Sequence, residues 1–224
     1  MGNVFRNLNF SVITNAIISV IPALICITFH ELSHGFVAYK LGDPTAKSLG
    51  RLTLNPIKHI DIFGFLMMVV FGFGWAKPVP VDMRRFKNPK RGMAITALAG
   101  PVSNIILAAV VMVIYGIAAV PLIKSPPGSL GATVFTMINR TAYLSIALAV
   151  FNMIPIPPLD GSKVLFSFVP NSVYMTLMKY ERYGFILLII LMYTNAFDAT
   201  IGRLTQGIYF HLADIANAVY RLFA

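Results

Sequence analysis

Long runs without a charged residue constrain this chain more than any other feature of its sequence. Residues 7–29 and residues 93–123 contain no Asp, Glu, Lys or Arg. Each run is long enough to cross a bilayer, because a membrane-spanning helix needs about 20 mostly apolar residues. A soluble domain has about 25% charged residues, whereas this chain has 12%. The sequence therefore predicts a polytopic membrane protein, argues against an ordinary cytosolic enzyme and excludes a disordered chain.

Three further apolar stretches set the expected number of helices. Residues 141–159 are uncharged, and the apolar pattern that leads into them begins near Leu130. Residues 174–197 and 200–223 are interrupted by charged side chains, so each either spans the membrane or lies at its surface. We therefore expect an all-α membrane protein with five to six transmembrane helices.

The chain between the first two long runs is expected to form a different kind of structure. Residues 42–61 are rich in turn-forming residues and show a short β-like alternation. Residues 62–76 are apolar but short for a span, and we expect them to enter the membrane and return. The Pro-Val-Pro-Val sequence at residues 78–81 predicts an edge strand in a small membrane-associated β-hairpin.

Basic residues are concentrated in one loop, and this concentration predicts the orientation of the protein. Six of the 18 Lys and Arg residues lie within residues 77–91, together with a single acidic residue. Positively charged loops of membrane proteins are retained in the cytoplasm, so this loop is expected to be cytoplasmic. Membrane topology explains the net charge of +10 better than a nucleic-acid partner does, and none is expected.

A His-Glu-x-x-His pattern lies at the end of the first apolar helix, where ionisable residues are costly and usually functional. His30 and His34 are four residues apart and lie on one helix face, so both can bind the same metal ion. Glu31 is about 100° around the helix from His30, where it can act as a general base without being a ligand. A zinc ion would lower the pKa of water to about 7, so the pattern predicts hydrolysis.

Asp160 is the best candidate for the third protein ligand that a catalytic zinc ion requires. It follows three prolines that end the preceding helix, and Gly161 would allow another chain to approach closely. An Asp-Gly pair after prolines is also typical of a simple turn. His59 and Asp61 are competing ligands, although their segment is predicted to be a loop nearer the surface.

These residues together resemble the site-2 protease family of intramembrane zinc metalloproteases. The segment from His30 to His34 matches the first signature of that family, and residues 152–161 are similar to the second, which ends in Leu-Asp-Gly. Gly-Pro-Val-Ser-Asn at residues 100–104 resembles the intermediate Gly-Pro-x-x-Asn element. The chain looks closest to the short bacterial and archaeal members, which lack PDZ and CBS domains.

The resemblance implies a single integral-membrane metalloprotease domain over residues 1–224, with a catalytic core at about 10–166 and C-terminal helices at about 174–223. It implies that one zinc ion is bound by His30, His34 and Asp160, and that Glu31 is the general base. The implied substrates are transmembrane segments of other membrane proteins within the lipid bilayer. The implied location is a bacterial or archaeal cytoplasmic membrane, with the active site toward the cytoplasmic side.

Two asparagines and one short segment are further candidates for contacts with substrate, and each has two interpretations. The side chains of Asn104 and Asn152 can orient a substrate carbonyl or stabilise an oxyanion, and they can equally form hydrogen bonds between membrane helices. Residues 77–81 are a candidate edge for binding an unwound substrate by β-augmentation, or a plain connecting hairpin.

Functions other than proteolysis are also compatible with this sequence. The protein could store or transport zinc, or it could be a pseudoprotease that binds helices without cutting them. Glu31 separates these classes, because a storage site needs ligands but no base beside them. The sequence does not specify the oligomeric state.

Overall fold

The computed structural model describes residues 10–71, 74–194 and 198–224. Within these ranges the protein is mostly helical, as predicted, while residues 7–9 of the first apolar run lie outside them. The α-helices are α1 (Phe10–Lys40), α2 (Thr45–Ser48), α3 (Ile62–Phe71), α4 (Pro89–Leu122), α5 (Leu130–Asn152), α6 (Asp160–Phe166), α7 (Asn171–Lys179), α8 (Glu181–Tyr193) and α9 (Asp198–Phe223). Short 3-10 turns at Pro56–His59 and Met83–Arg85 precede α3 and α4.

Three of the described helices are long and apolar enough to cross a membrane. They are α1, over Ile18–Lys40, together with α4 and α5. Helices α8 and α9 meet at 84° and would form a fourth span only as a bent pair, with residues 195–197 between them outside the described ranges. The expected five to six spans are not confirmed, because α3 has only 10 residues and the predicted helix at 174–197 is divided into α7 and α8.

Helix α4 is the central element of the bundle, and it contacts α1, α5, α6 and α9. Many of the buried residues of α4 are small, which allows neighbouring elements to approach closely; they include Gly92, Ala94, Ala97, Gly100, Ala108, Gly116 and Ala119. A buried apolar cluster of Val111, Met112, Ala142 and Ala216 joins α4 to α5 and α9. The N-terminal half of α4 therefore faces α1, which carries the His30–His34 motif, and α6, which begins at Asp160.

The segment expected to enter the membrane and return does come back to its starting point. Ile60 and Ala76 form an antiparallel bridge on either side of α3, and the Lys77 N–H donates to the His59 carbonyl over 2.9 Å. Helix α3 is about 15 Å long, and the side chains of Ile62 and Phe63 at its start are exposed. The two flanks of α3 therefore lie side by side rather than at opposite ends of the bundle.

The predicted β-hairpin is not found in the described ranges of the chain. The pairing of Ile60 with Ala76 is an isolated bridge, and no strand ladder extends from it. Pro78 and Pro80 have no N–H groups, so one side of this extended segment has no donors. On the other side the Val79 N–H, which an edge strand would use in a ladder, donates to the side chain of Glu31 instead.

Candidate metal centre and active site

The three predicted zinc ligands meet in the interior of the helical bundle. The Nε2 atoms of His30 and His34 each lie 3.1 Å from Oδ2 of Asp160. All three residues are buried, and one ligand atom from each lies within 4.8 Å of the others. The competing ligands do not join this group, because His59 Nε2 pairs with the Thr53 carbonyl and Asp61 accepts a hydrogen bond from the Gly64 N–H.

Local structure explains how residues so distant in sequence come together. The two histidines lie one turn apart on α1, and their ring centroids are 4.6 Å apart. Asp160 is the first residue of α6, which begins after the proline-rich turn that ends α5. A Cβ atom at Gly161 would lie 2.2 Å from the Met153 carbonyl oxygen. The close approach at Gly161 thus comes from the preceding turn of the same chain, and only glycine allows this turn to bring Asp160 onto the histidines.

The backbone of α4 fixes the orientation of one histidine. His34 Nδ1 lies 2.7 Å from the carbonyl oxygen of Thr96. A carbonyl only accepts hydrogen bonds, so Nδ1 carries a proton, and Nε2 is the nitrogen that can bind a metal once it has lost its own proton. His30 Nδ1 is buried without a hydrogen-bond partner among the described residues. The second ring nitrogen of a metal-binding histidine usually has a hydrogen-bond partner that orients the ring. Of these two histidines, only His34 has one among the described residues.

Gly100 forms the wall of the metal centre on the α4 side. A Cβ atom at this position would lie 2.5 Å from His34 Nε2 and 2.6 Å from His30 Cε1. Non-bonded carbon atoms prefer a separation of about 3.5–4.0 Å, so no side chain fits here without moving the rings. Thr96 and Gly100 are four residues apart on one helix face. The same face of α4 thus supplies both a hydrogen-bond acceptor for His34 and space for the two rings.

The donor set fits a catalytic zinc ion. Zinc binds imidazole nitrogen and carboxylate oxygen tetrahedrally at about 2.0–2.2 Å, which separates pairs of ligand atoms by about 3.3 Å. The two separations of 3.1 Å from Asp160 are close to this value. Burial by itself would raise the pKa of Asp160, but hydrogen bonds with His30 and His34 hold that pKa below its usual range. The carboxylate is therefore anionic, as a cation site requires.

Glu31 lies beside these ligands without belonging to the group. It is half-buried and lines the same cavity as the two histidines and Asp160. Its Oε2 atom accepts a hydrogen bond of 2.8 Å from the backbone N–H of Val79. The arrangement leaves a carboxylate that faces the cavity and is oriented by a backbone donor, so its position suits a candidate general base.

A cavity of about 320 Å³ opens onto the metal centre. Water in the liquid occupies about 30 Å³ per molecule, so the cavity has room for water and a short length of peptide. Its lining includes the backbone segment of Pro78, Val79 and Val81 as well as Asn152 and Lys163. The cavity thus joins the residues of the candidate zinc site to a backbone segment and to further polar side chains.

The two asparagines occupy different environments. Asn152, the last residue of α5, lines the cavity, and its Nδ2 donates to the Leu148 carbonyl over 3.0 Å. Asn104 is fully buried and does not line the cavity. Its carbonyl accepts a hydrogen bond from the hydroxyl of Ser145, whereas its side-chain amide has no partner in the described part of the chain. The structure therefore brings Asn152 to the site and leaves Asn104 in the packing of α4 against α5.

Comparison with known proteins places these features in a family. Residues 122–193 match the family described as "Peptidase family M50". The chain is 44% identical over 181 residues to "Putative zinc metalloprotease YwhC" of Bacillus subtilis, which covers 78% of this chain and 80% of that protein. It is 35% identical over 163 residues to "Putative zinc metalloprotease MJ0611" of Methanocaldococcus jannaschii, over 72% and 75% of the two chains.

The chain belongs to peptidase family M50, the site-2 protease family. No solved structure shows significant similarity to it. Membership confirms the resemblance that the sequence motifs indicated, and with the three apolar helices it identifies an integral membrane protein of a zinc metalloprotease family. The family match includes α5 and Asp160, whereas the histidines precede it.

Several groups in the site of this M50 protein were not found by sequence reasoning. The Thr96 carbonyl and the Val79 N–H belong to the backbone, so the identity of the residue gives no signal for them. Gly100 was assigned to a motif but to no function, and a glycine inside a membrane helix was the signal that could have identified it. Lys163 lines the cavity one turn after Asp160, and its position could have been inferred from helical spacing.

Proposed function

We propose that this M50 protein is a zinc-dependent endopeptidase that cleaves transmembrane segments of other membrane proteins. The proposal depends chiefly on the buried group of His30, His34 and Asp160, with Glu31 beside it on a shared cavity. This group supports one zinc ion per chain. A carboxylate that faces the cavity but is not a ligand favours hydrolysis over storage or transport of the metal.

The position of the site supports a substrate that is itself in the membrane. The histidines lie on the candidate span Ile18–Lys40, and Gly100 lies on the candidate span Pro89–Leu122. Asn152 is the last residue of a third span. The site is therefore enclosed by three spans near one of their ends, where a transmembrane segment could reach it by unwinding.

The same end of the bundle carries the basic loop. Residues 77–91 connect α3 to α4, and α4 begins within this loop. Because positively charged loops remain in the cytoplasm, we infer that the active site lies toward the cytoplasmic side of the membrane. A cytoplasmic membrane is the location that this orientation supports.

Each residue of the site has a proposed chemical role. His30, His34 and Asp160 would hold zinc, which when bound acts as a Lewis acid and lowers the pKa of water to about 7. Glu31 accepts a proton from the attacking water and then donates it to the nitrogen of the leaving amine. The water oxygen forms the new bond to the carbonyl carbon, and the carbon–nitrogen bond breaks. Asn152, which also lines the cavity, orients the substrate carbonyl.

The segment around Val79 is a candidate contact for an unwound substrate. Pro78, Val79 and Val81 line the cavity beside Glu31. Two prolines leave this segment few N–H donors, so it would bind an extended peptide mainly through its carbonyl groups.

A variant that changes only the base tests the proposal. Glu31→Gln in the purified full chain should retain zinc, measured by elemental analysis, and lose cleavage of membrane proteins. Fragments of membrane proteins would be compared by mass spectrometry in cells that express the parental protein or the Glu31→Gln variant. Asp214→Asn, a change of an exposed acidic residue on α9, should leave both properties unchanged. Cleavage that persists in Glu31→Gln would refute the role of Glu31, and identical fragments in all cells would favour a non-proteolytic zinc protein.

A further inference from the structure

A six-residue segment between α3 and α4 holds the candidate general base. We call residues 77–82 the strap. Val79, near its middle, is 8% exposed and donates its backbone N–H to Glu31 Oε2. The residues on either side of Val79 are prolines, which have no N–H. A shift of the strap by one residue in either direction would therefore place a nitrogen without hydrogen opposite the Glu31 carboxylate.

One end of the strap is fixed by a buried arginine. Arg51 is 8% exposed, and its Nη2 donates to the Lys77 carbonyl over 2.7 Å. The N–H of Lys77 also donates to the His59 carbonyl. Arg51 has no carboxylate partner among the described residues, and its Nε is unsatisfied. Burial of a guanidinium group is costly. The hydrogen bond to the Lys77 carbonyl of the strap is the interaction that Arg51 contributes to the fold.

The other end of the strap is fixed by a buried aspartate. Asp43 has 0% exposure, and its Oδ2 accepts a hydrogen bond of 2.7 Å from the backbone N–H of Asp82. Its other oxygen accepts hydrogen bonds from the N–H and the hydroxyl of Thr45. Both carboxylate oxygens are thus used, and one of them is committed to the strap.

We propose that Asp43 and Arg51 are positioning residues for the catalytic base. They fix the two ends of the strap in register, and the strap in turn holds Glu31 through the only donor available between Pro78 and Pro80. Neither residue lines the cavity, so neither acts on substrate directly. The role of Glu31 as the base comes from the proposed function, on which this inference rests. The register of the strap is argued from the hydrogen bonds of Arg51, Glu31 and Asp43.

The test uses the full chain and measures the exposure of the strap separately from the rate of proteolysis. Val79→Cys, in a Cys26→Ala background that removes the only native thiol, keeps the backbone N–H and reports exposure of the strap by its rate of reaction with a water-soluble maleimide. Asp43→Ala, Asp43→Asn and Arg51→Met would be combined with it. Asp43→Asn keeps the shape of the side chain but replaces one of the two acceptor oxygens with a donor, so it tests the hydrogen bond from the Asp82 N–H alone. Asp43→Ala removes that hydrogen bond and also the packing of the side chain.

Matched controls lie next to the strap. Lys87→Met removes a basic side chain that is exposed, and Arg84→Met removes an arginine whose side chain is 87% exposed. We expect labelling to accelerate by about tenfold or more in the Asp43 and Arg51 variants, since each loses a hydrogen bond to a charged group. In the versions that retain Val79, turnover should fall by about 10–100-fold with zinc content unchanged. Both controls should stay near the parental values.

The outcomes separate this inference from the proposed function. Labelling and zinc content are measured without substrate, so unchanged labelling in the Asp43 and Arg51 variants would overturn the register argument even in an active protease. Faster labelling with parental turnover would show that the strap does not position the base. A parental protein that cleaves no membrane protein would refute the proposed function, whatever the labelling shows.

Discussion

Replacing Gly100 with alanine would add one methyl group to the wall of the metal centre. The new Cβ atom would lie 2.5 Å from both Cε1 and Nε2 of His34 and 2.6 Å from Cε1 of His30. These distances are about 1 Å shorter than a comfortable contact between non-bonded carbon atoms. Both rings face the methyl group, so a single rotation of one ring does not relieve the overlap.

The expected effect on zinc binding follows from how little the ligands can move. His34 is tied to the Thr96 carbonyl on the same helix as Gly100, so it cannot move away from α4 without losing that hydrogen bond. Metal–ligand distances tolerate changes of only about 0.2 Å, whereas relief of the contact needs about 1 Å. We expect zinc affinity to fall by at least 10–100-fold, the range seen when support for metal ligands is removed. Overpacking of this kind costs about 1–3 kcal/mol of stability.

The assay is zinc competition against a chelator of known affinity, with purified protein in detergent and helical content followed by circular dichroism. Gly207→Ala is the matched control, because Gly207 lies in α9 and a Cβ atom there would meet nothing within 4 Å. That change should leave zinc affinity unchanged and stabilise the helix slightly. Parental zinc affinity in a folded Gly100→Ala protein would refute the packing of the two histidines against α4.

Four further changes test the rest of the site. Asp160→Ala should abolish zinc retention in elemental analysis, and zinc bound at parental affinity would mean that another residue is the third ligand. Gly161→Ala should lower both stability and zinc content, because the new methyl group would meet the Met153 carbonyl at 2.2 Å; a parental melting temperature would contradict the close approach. Asn152→Ala should lower turnover by about 10²–10³ if its amide stabilises the reacting carbonyl, with zinc retained, whereas Asn104→Ala should lower the melting temperature and leave turnover per folded molecule unchanged.

Local chemistry explains why the candidate ligands could be found in the sequence. The histidines are four residues apart on a helix, and this spacing alone places them on one face. The apolar runs that became α1, α4 and α5 were long enough to fix the helical class. Spacing alone does not place Asp160, because its role depends on a turn that returns the chain to α1. The prolines before Asp160 and Gly161 after it are the residues that indicate such a turn.

The outer parts of the site depend on packing between helices, which periodicity does not determine. Asn104 and Asn152 are both candidates in the sequence, yet Asn104 is fully buried against α5 and Asn152 faces the cavity. The difference is set by the rotation of α4 and α5 about their axes in the bundle. Gly100 gained its importance in the same way, because the face of α4 that carries it was turned toward the histidines.

The prolines of the strap had two structural consequences, of which the sequence suggested only one. An edge strand was expected because prolines are tolerated where N–H groups are not needed for a ladder. The same lack of N–H groups leaves Val79 as the isolated donor between Pro78 and Pro80, and that donor is directed to Glu31. A regular ladder would have consumed it in pairing with a neighbouring strand. The absence of a ladder at this position is therefore what makes the backbone available to hold the candidate base.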